Sequence, residues 1–205
     1  ESVLCRENVF LAQNILLVGI AFTVLLGTTF PLLAEAVRGT KLSIQAPFFN
    51  TITAPMGYAL LVLMGIGMLI SWRRSSLDNL RRNFQNPLII ASIGTIILFW
   101  MLFDKSMQWG VYIIFWATIF VTSTIFIEIV KATQIKARQT ESNILMGLFY
   151  VILRNRRRYG GLMIHFGVVL MFLGFAGTFF SLEKDLTLEA GESRIIGNYQ
   201  LEFQK

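Results

Sequence analysis

Apolar residues in this chain fall into long unbroken runs, not into the short alternations of a water-soluble fold. Five runs suit a hydrocarbon core of about 30 Å, which takes roughly 20 apolar residues in a helix. They are Val9–Ala34, Ile52–Trp72, Pro87–Phe103, Trp109–Ile127 and Gly161–Leu182, the third at the short end of the range. A sixth run, Ile144–Leu153, is too short to span and reads as an interfacial or short internal helix. The period then changes. Tyr199, Leu201 and Phe203 alternate with Gln200, Glu202 and Gln204, as in a half-buried strand. Leu186 and Leu188 begin an earlier strand, and Gly197-Asn198 reads as a two-residue hairpin turn. The pattern predicts an all-α polytopic membrane protein with five transmembrane helices over 1–182. The start of a small extracytoplasmic β unit follows over 183–205.

Composition supports lipid as the solvent. Charged residues make up 15% of the chain and hydrophobic residues 55%, against roughly 25% charged in soluble domains. The formal net charge of +6 is concentrated between apolar runs, which marks membrane orientation and not a nucleic-acid partner. Arg73, Arg74, Arg81 and Arg82 lie between the second and third runs. Lys131, Lys136, Arg138, Arg154, Arg156, Arg157 and Arg158 lie between the fourth and fifth. The alternate connections hold only Arg38 and Lys41, and Lys105. The positive-inside rule puts the rich connections in the cytoplasm. A cytoplasmic N-terminus and an external C-terminal tail follow, as five crossings require. The chain starts at Glu1 and ends at Lys205 within the alternating segment, so it reads as a piece of a longer protein. Cys5 is the single cysteine, which leaves no intrachain disulfide, CxxC pair or cysteine zinc site within these residues. It reads as a small residue at the membrane boundary.

His165, the single histidine, lies about one turn into the last apolar run. Its Cα sits roughly 6 Å past Gly161. Polar side chains inside a membrane are costly and usually functional. A neutral imidazole there can ligate a metal or haem iron, shuttle a proton, or hydrogen-bond a neighbouring helix. Gly160, Gly167 and Gly174 recur every seven residues with Gly177 beyond, forming a smooth stripe on which another helix can close. His165 lies about 160° around the helix from Gly167. Arg156, Arg157 and Arg158 precede the histidine; they fix topology, bind anionic headgroups, or pair with carboxylates of a bound ligand. Glu128 reads as interfacial, and Glu35 and Asp104 as outer-end residues. Pro47-Phe48-Phe49-Asn50 falls in an outer loop, as an interfacial aromatic belt or a docking surface for a flat apolar ligand. No phosphate loop, nucleophile elbow or HExxH motif is present, which argues against a hydrolase.

Several separated motifs then converge. Cys5-Arg6-Glu7-Asn8 with Leu11 and Asn14 opens a helix, and Gly27-Thr28 with Pro31 continues it. Pro47-Phe48-Phe49-Asn50 and Pro55 follow in order. Asn155-Arg156-Arg157-Arg158-Tyr159-Gly160-Gly161, then His165 and Gly167, is the most specific element. In order and spacing these resemble the C-terminal half of the cytochrome c maturation haem lyases, the CcmF/NrfE family. The resemblance implies an inner-membrane protein that receives haem from the haem chaperone CcmE. It implies attachment of that haem to the Cys-x-x-Cys-His thiols of apocytochrome c, alongside other subunits of the maturation complex. It further implies a b-type haem within the membrane, with His165 as an axial ligand of its iron and Arg156, Arg157 and Arg158 as propionate contacts. Cys5 stands where the family has serine. The family's tryptophan-rich segment and its other haem-binding histidines are not in this chain, so the resemblance implies no ligation by this piece alone.

Two other classes fit parts of the pattern. A transporter or channel subunit would use His165 as a proton relay, but carboxylates within the spans are scarce. A haem b subunit of a quinone oxidoreductase would place two or more histidines in its spans, and this chain has one.

Overall fold

The computed structural model describes residues 5–39, 43–70, 77–102, 109–180, 193–196 and 199–202. Six α-helices carry the fold: α1 Arg6–Arg38, α2 Ala46–Leu69, α3 Leu77–Met101, α4 Trp109–Gln139, α5 Ile144–Arg154 and α6 Arg156–Gly177. A 3₁₀ turn, Thr178–Phe180, follows α6. Five helices are long and apolar enough to cross a membrane: α1, α2, α3 from Arg81, α4 and α6. The short apolar run becomes α5, 11 residues long.

Each helix ends for local reasons. Cys5 is the N-cap of α1, with Glu7 in the first turn and Arg38 in the last, charges that complement the helix dipole. Gly39 closes α1 at φ 66°, a left-handed backbone suited to glycine, and its N–H donates to Glu35 O at 2.9 Å. α2 carries Pro47 in its first turn, where a missing N–H costs nothing. The Pro47-Phe48-Phe49-Asn50 segment, expected in a loop, is therefore helical. Phe48 and Phe49 meet edge to face at 5.4 Å, and the Phe49 ring lies against Gly27 of α1. That contact puts the Phe49 ring into helix packing, while Phe48 is 41% exposed. At the end of α4, Ser142 N–H reaches Ala137 O at 3.1 Å, with Glu141 left-handed at φ 47°. Asn143 then caps α5, its Oδ1 accepting from Ile144 N–H at 2.8 Å.

α4 is the central helix, packed on α2, α3, α5 and α6. Its buried stripe includes Ile114, Ala117, Phe120, Val121 and Ile125. Leu61 and Met64 of α2, Ala91 of α3, Val151 of α5, and Leu162, Val169, Phe172 and Ala176 of α6 complete the core. The buried hydroxyls of Thr118, Ser123 and Thr124 donate to carbonyls of their own helix at 2.9 Å, which satisfies them without water. α1 packs mainly on α2 and turns Leu11, Val18, Phe22 and Leu32 outward. An apolar exterior is what a lipid-facing helix requires.

Beyond the helices, Ser193–Ile196 (β1) and Tyr199–Glu202 (β2) pair antiparallel, with Ile196 opposite Tyr199 and Ser193 opposite Glu202. The strand expected at Leu186 and Leu188, the turn at Gly197-Asn198 and the last positions of the alternation, Phe203 and Gln204, lie outside the described residues. So do Lys41, Arg73, Arg74, Asp104 and Lys105, and the expected run ends at Trp72, Phe103 and Leu182.

Candidate functional site: a polar cavity beside His165

One face of α6 carries the packed residues Leu162, Val169 and Phe172. His165 lies on that same face, between Val169 and Phe172 around the helix, and is half-buried. Gly161 and Arg158 precede it by four and seven residues, spacings that bring all three onto one side of a helix. These residues form one wall of a cavity of about 490 Å³. Arg6 from the first turn of α1, Met68 from the last turns of α2 and Glu128 of α4 form the rest, with Leu162. The start of α1, the end of α2 and the start of α6 therefore meet at one end of the bundle. Gly161 keeps the wall open: a Cβ there would meet nothing within 4 Å.

The cavity is polar and carries more positive than negative charge. Arg158 Nε donates to Glu128 Oε1 at 2.9 Å, and Arg158 Nη2 lies 2.8 Å from the same oxygen. Arg6 sits over the Phe10 ring of its own helix, with Cζ 5.6 Å from the centroid. Two guanidiniums and one carboxylate line the cavity. The volume lies within the roughly 300–1,000 Å³ of small-molecule pockets. Among the described residues no side chain hydrogen-bonds the His165 imidazole, and no three of His, Cys, Asp and Glu cluster as a metal site.

The three consecutive arginines diverge, because successive residues leave a helix about 100° apart. Arg158 reaches the His165 cavity. Arg156 lines a separate apolar groove between α4, α5 and α6. Arg157 is exposed and lines neither. Leu162 stands between the two hollows and contributes to both. The sequence singled out His165 and Arg158 as site residues, gave Arg6 only within the motif that opens the first helix, did not single out Met68, and placed Glu128 at the interface without a partner. The usable signal was charge of opposite sign at one predicted membrane side. The glycine stripe does not receive a helix among the described residues: a Cβ at Gly160, Gly167, Gly174 or Gly177 would meet nothing within 4 Å.

Fold and cavity together define a multi-pass helical membrane protein with a histidine-bearing polar cavity at one end of its bundle. No family model matches the sequence. The cytochrome c-type biogenesis protein CcmF of Pseudomonas fluorescens is 29% identical over 201 residues, covering 97% of this chain and 29% of the relative. The probable cytochrome c-type biogenesis protein NrfE of Escherichia coli is 30% identical over 47% of this chain and 16% of the relative. Among solved structures, cytochrome c haem lyase CcmF matches with a TM-score of 0.68 at 31% identity, over 96% of this chain and 29% of that one. The chain is similar to the CcmF proteins over nearly its whole length and to NrfE over about half of it, as a relative of part of their sequence. It spans under a third of the length of the CcmF relative it matches.

Proposed function

We propose that this chain is the part of a cytochrome c maturation haem lyase that holds a b-type haem in the bacterial inner membrane. One observation carries the reading: the single histidine of a CcmF homologue lines a cavity of about 490 Å³ together with two arginines. His165 would hold the haem iron, and Arg158 and Arg6 would hold its carboxylates. Arg156 and Arg157 take no part in that contact, since they leave the helix in other directions. A bis-histidine haem needs a histidine from outside these 205 residues, because His165 is the single one present. The bound haem supplies electron transfer. The chain's own work is to hold one imidazole and two guanidiniums at fixed positions on two helices, α6 and α1, an arrangement that sets orientation before any reaction.

In this reading the whole lyase receives substrate haem from the chaperone CcmE and joins its vinyl groups to the Cys-x-x-Cys-His thiols of apocytochrome c, with other maturation subunits. The cavity end and the N-terminus lie on the cytoplasmic side in this reading, which the arginine-rich connections support. The paired strands β1 and β2 then belong to a periplasmic unit.

The test is the absorption spectrum of the full-length protein purified from membranes. His165→Ala removes the b-type bands while the protein still accumulates in the membrane. Retention of those bands with an unchanged yield of cytochrome c overturns the ligand assignment. Pairing by Arg158 with a haem carboxylate predicts a smaller effect: Arg158→Ala lowers haem occupancy without abolishing the bands.

A further inference from the structure

The groove between α4, α5 and α6 lies outside the haem reading and has a chemistry of its own. Its volume is about 510 Å³. Ile125, Phe126 and Ile129 of α4 form one wall, and Leu148 and Ile152 of α5 another. Met163 and Phe166 line it along α6, whose lining residues begin at Arg156. Two polar groups stand at the arginine end. Arg156 is exposed, and the Tyr159 hydroxyl one turn on makes no hydrogen bond among the described residues. From Arg156 to Phe166 the helix rises about 15 Å. That is half of a hydrocarbon core of about 30 Å, the depth of one leaflet.

A hollow one leaflet deep, apolar along its length and cationic at its mouth, matches a lipid by both shape and charge. Lys131, Lys136 and Arg154 near the same helix ends raise the local positive potential. We propose that this groove is a binding site for an anionic phospholipid. One acyl chain lies along Ile125, Ile129, Leu148 and Met163, and the headgroup phosphate meets Arg156 with Tyr159 as a second donor. Such a lipid wedges α5 against α4 and α6. It also covers the far side of Leu162, which lines the His165 cavity on its other side.

The experiment is native mass spectrometry of the detergent-solubilised full-length protein titrated with dioleoyl-phosphatidylglycerol, with dioleoyl-phosphatidylcholine as the neutral control. Preferential retention of phosphatidylglycerol is expected. Arg156→Ala lowers that retention about fivefold, the effect of one cation near an anionic headgroup. Arg138→Ala, at an exposed position outside the groove wall, leaves it unchanged. Gly160→Leu fills the groove from a position where a Cβ meets nothing, so it abolishes retention in protein that still unfolds cooperatively. Inorganic phosphate does not displace the lipid, because the chain and not only the headgroup is held. Equal retention of the two lipids overturns the proposal. So does an equal effect of Arg138→Ala and Arg156→Ala, or full retention by Gly160→Leu. The readout is lipid mass and does not depend on haem.

Discussion

Arg158 of α6 and Glu128 of α4 join two helices across one wall of the His165 cavity, with both guanidinium contacts on a single carboxylate oxygen, at 2.9 and 2.8 Å. The geometry is close, but the environment is not closed: the Arg158 side chain is 65% exposed and that of Glu128 22%. Exposed pairs contribute about 0–1 kcal/mol, because solvent screens them and ordering two long side chains has an entropic cost. A double-mutant cycle with Arg158→Ala and Glu128→Ala is expected to give a coupling of at most about 1 kcal/mol, read from unfolding in detergent. The pair then serves mainly to aim Arg158 along the cavity wall. A coupling of several kcal/mol would show that the full-length protein buries it.

A tighter relationship holds the bundle itself together. Gly65 of α2 faces Phe120 of α4, and a Cβ added there would lie 2.6 Å from Phe120 Cε1 and 3.1 Å from Val121 Cγ2. Phe120 cannot yield easily. It is 1% exposed and stacked on Trp116 at 5.6 Å between ring centroids. Gly65→Ala should therefore destabilise by about 1–3 kcal/mol through overpacking, despite the better helix propensity of alanine. Adding Phe120→Leu should recover part of the loss, since the two positions share one volume. The check is the thermal midpoint of the two single variants and the double variant. A neutral Gly65→Ala would mean that α2 and α4 do not approach as closely as described.

The sequence showed where lipid meets the chain more clearly than where helices begin and end. Apolar runs mark the spanning segments because lipid tolerates no charge, but helix formation continues past the charges. α4 runs on through Lys131, Lys136 and Arg138 to Gln139, and α3 begins at Leu77, ahead of Arg81 and Arg82. Pro47 misled for a similar reason. Proline reads as a loop signal, yet it is well suited to the first turn of a helix. At the candidate site, His165 stood out as the lone imidazole in an apolar run. Its neighbours did not, because Arg6, Met68 and Glu128 come from three other helices and meet only in the packed bundle. The divergence of Arg156, Arg157 and Arg158 was readable in principle. Three consecutive helical residues cannot all face one ligand, and that periodicity outranks their shared charge.

The glycines of α6 give a prediction that separates the described helices from whatever else packs on them. Gly160, Gly167 and Gly174 are all exposed, and a Cβ at any of them meets nothing within 4 Å. In this bundle alone Gly167→Ala has no steric cost, and alanine gains about 0.5–1 kcal/mol over glycine in a helix interior. Gly167→Ala should therefore leave unfolding of this 205-residue chain unchanged or raise its midpoint. Gly167→Leu should be tolerated as well, since the larger side chain projects into open space. The same two substitutions in the full-length protein are the informative comparison. Small residues on a membrane helix are the surface on which another helix approaches most closely. If Gly167→Leu lowers stability there while sparing the shorter chain, a second element closes on this stripe. If it is tolerated in both, the stripe faces acyl chains, and its glycines have no packing role.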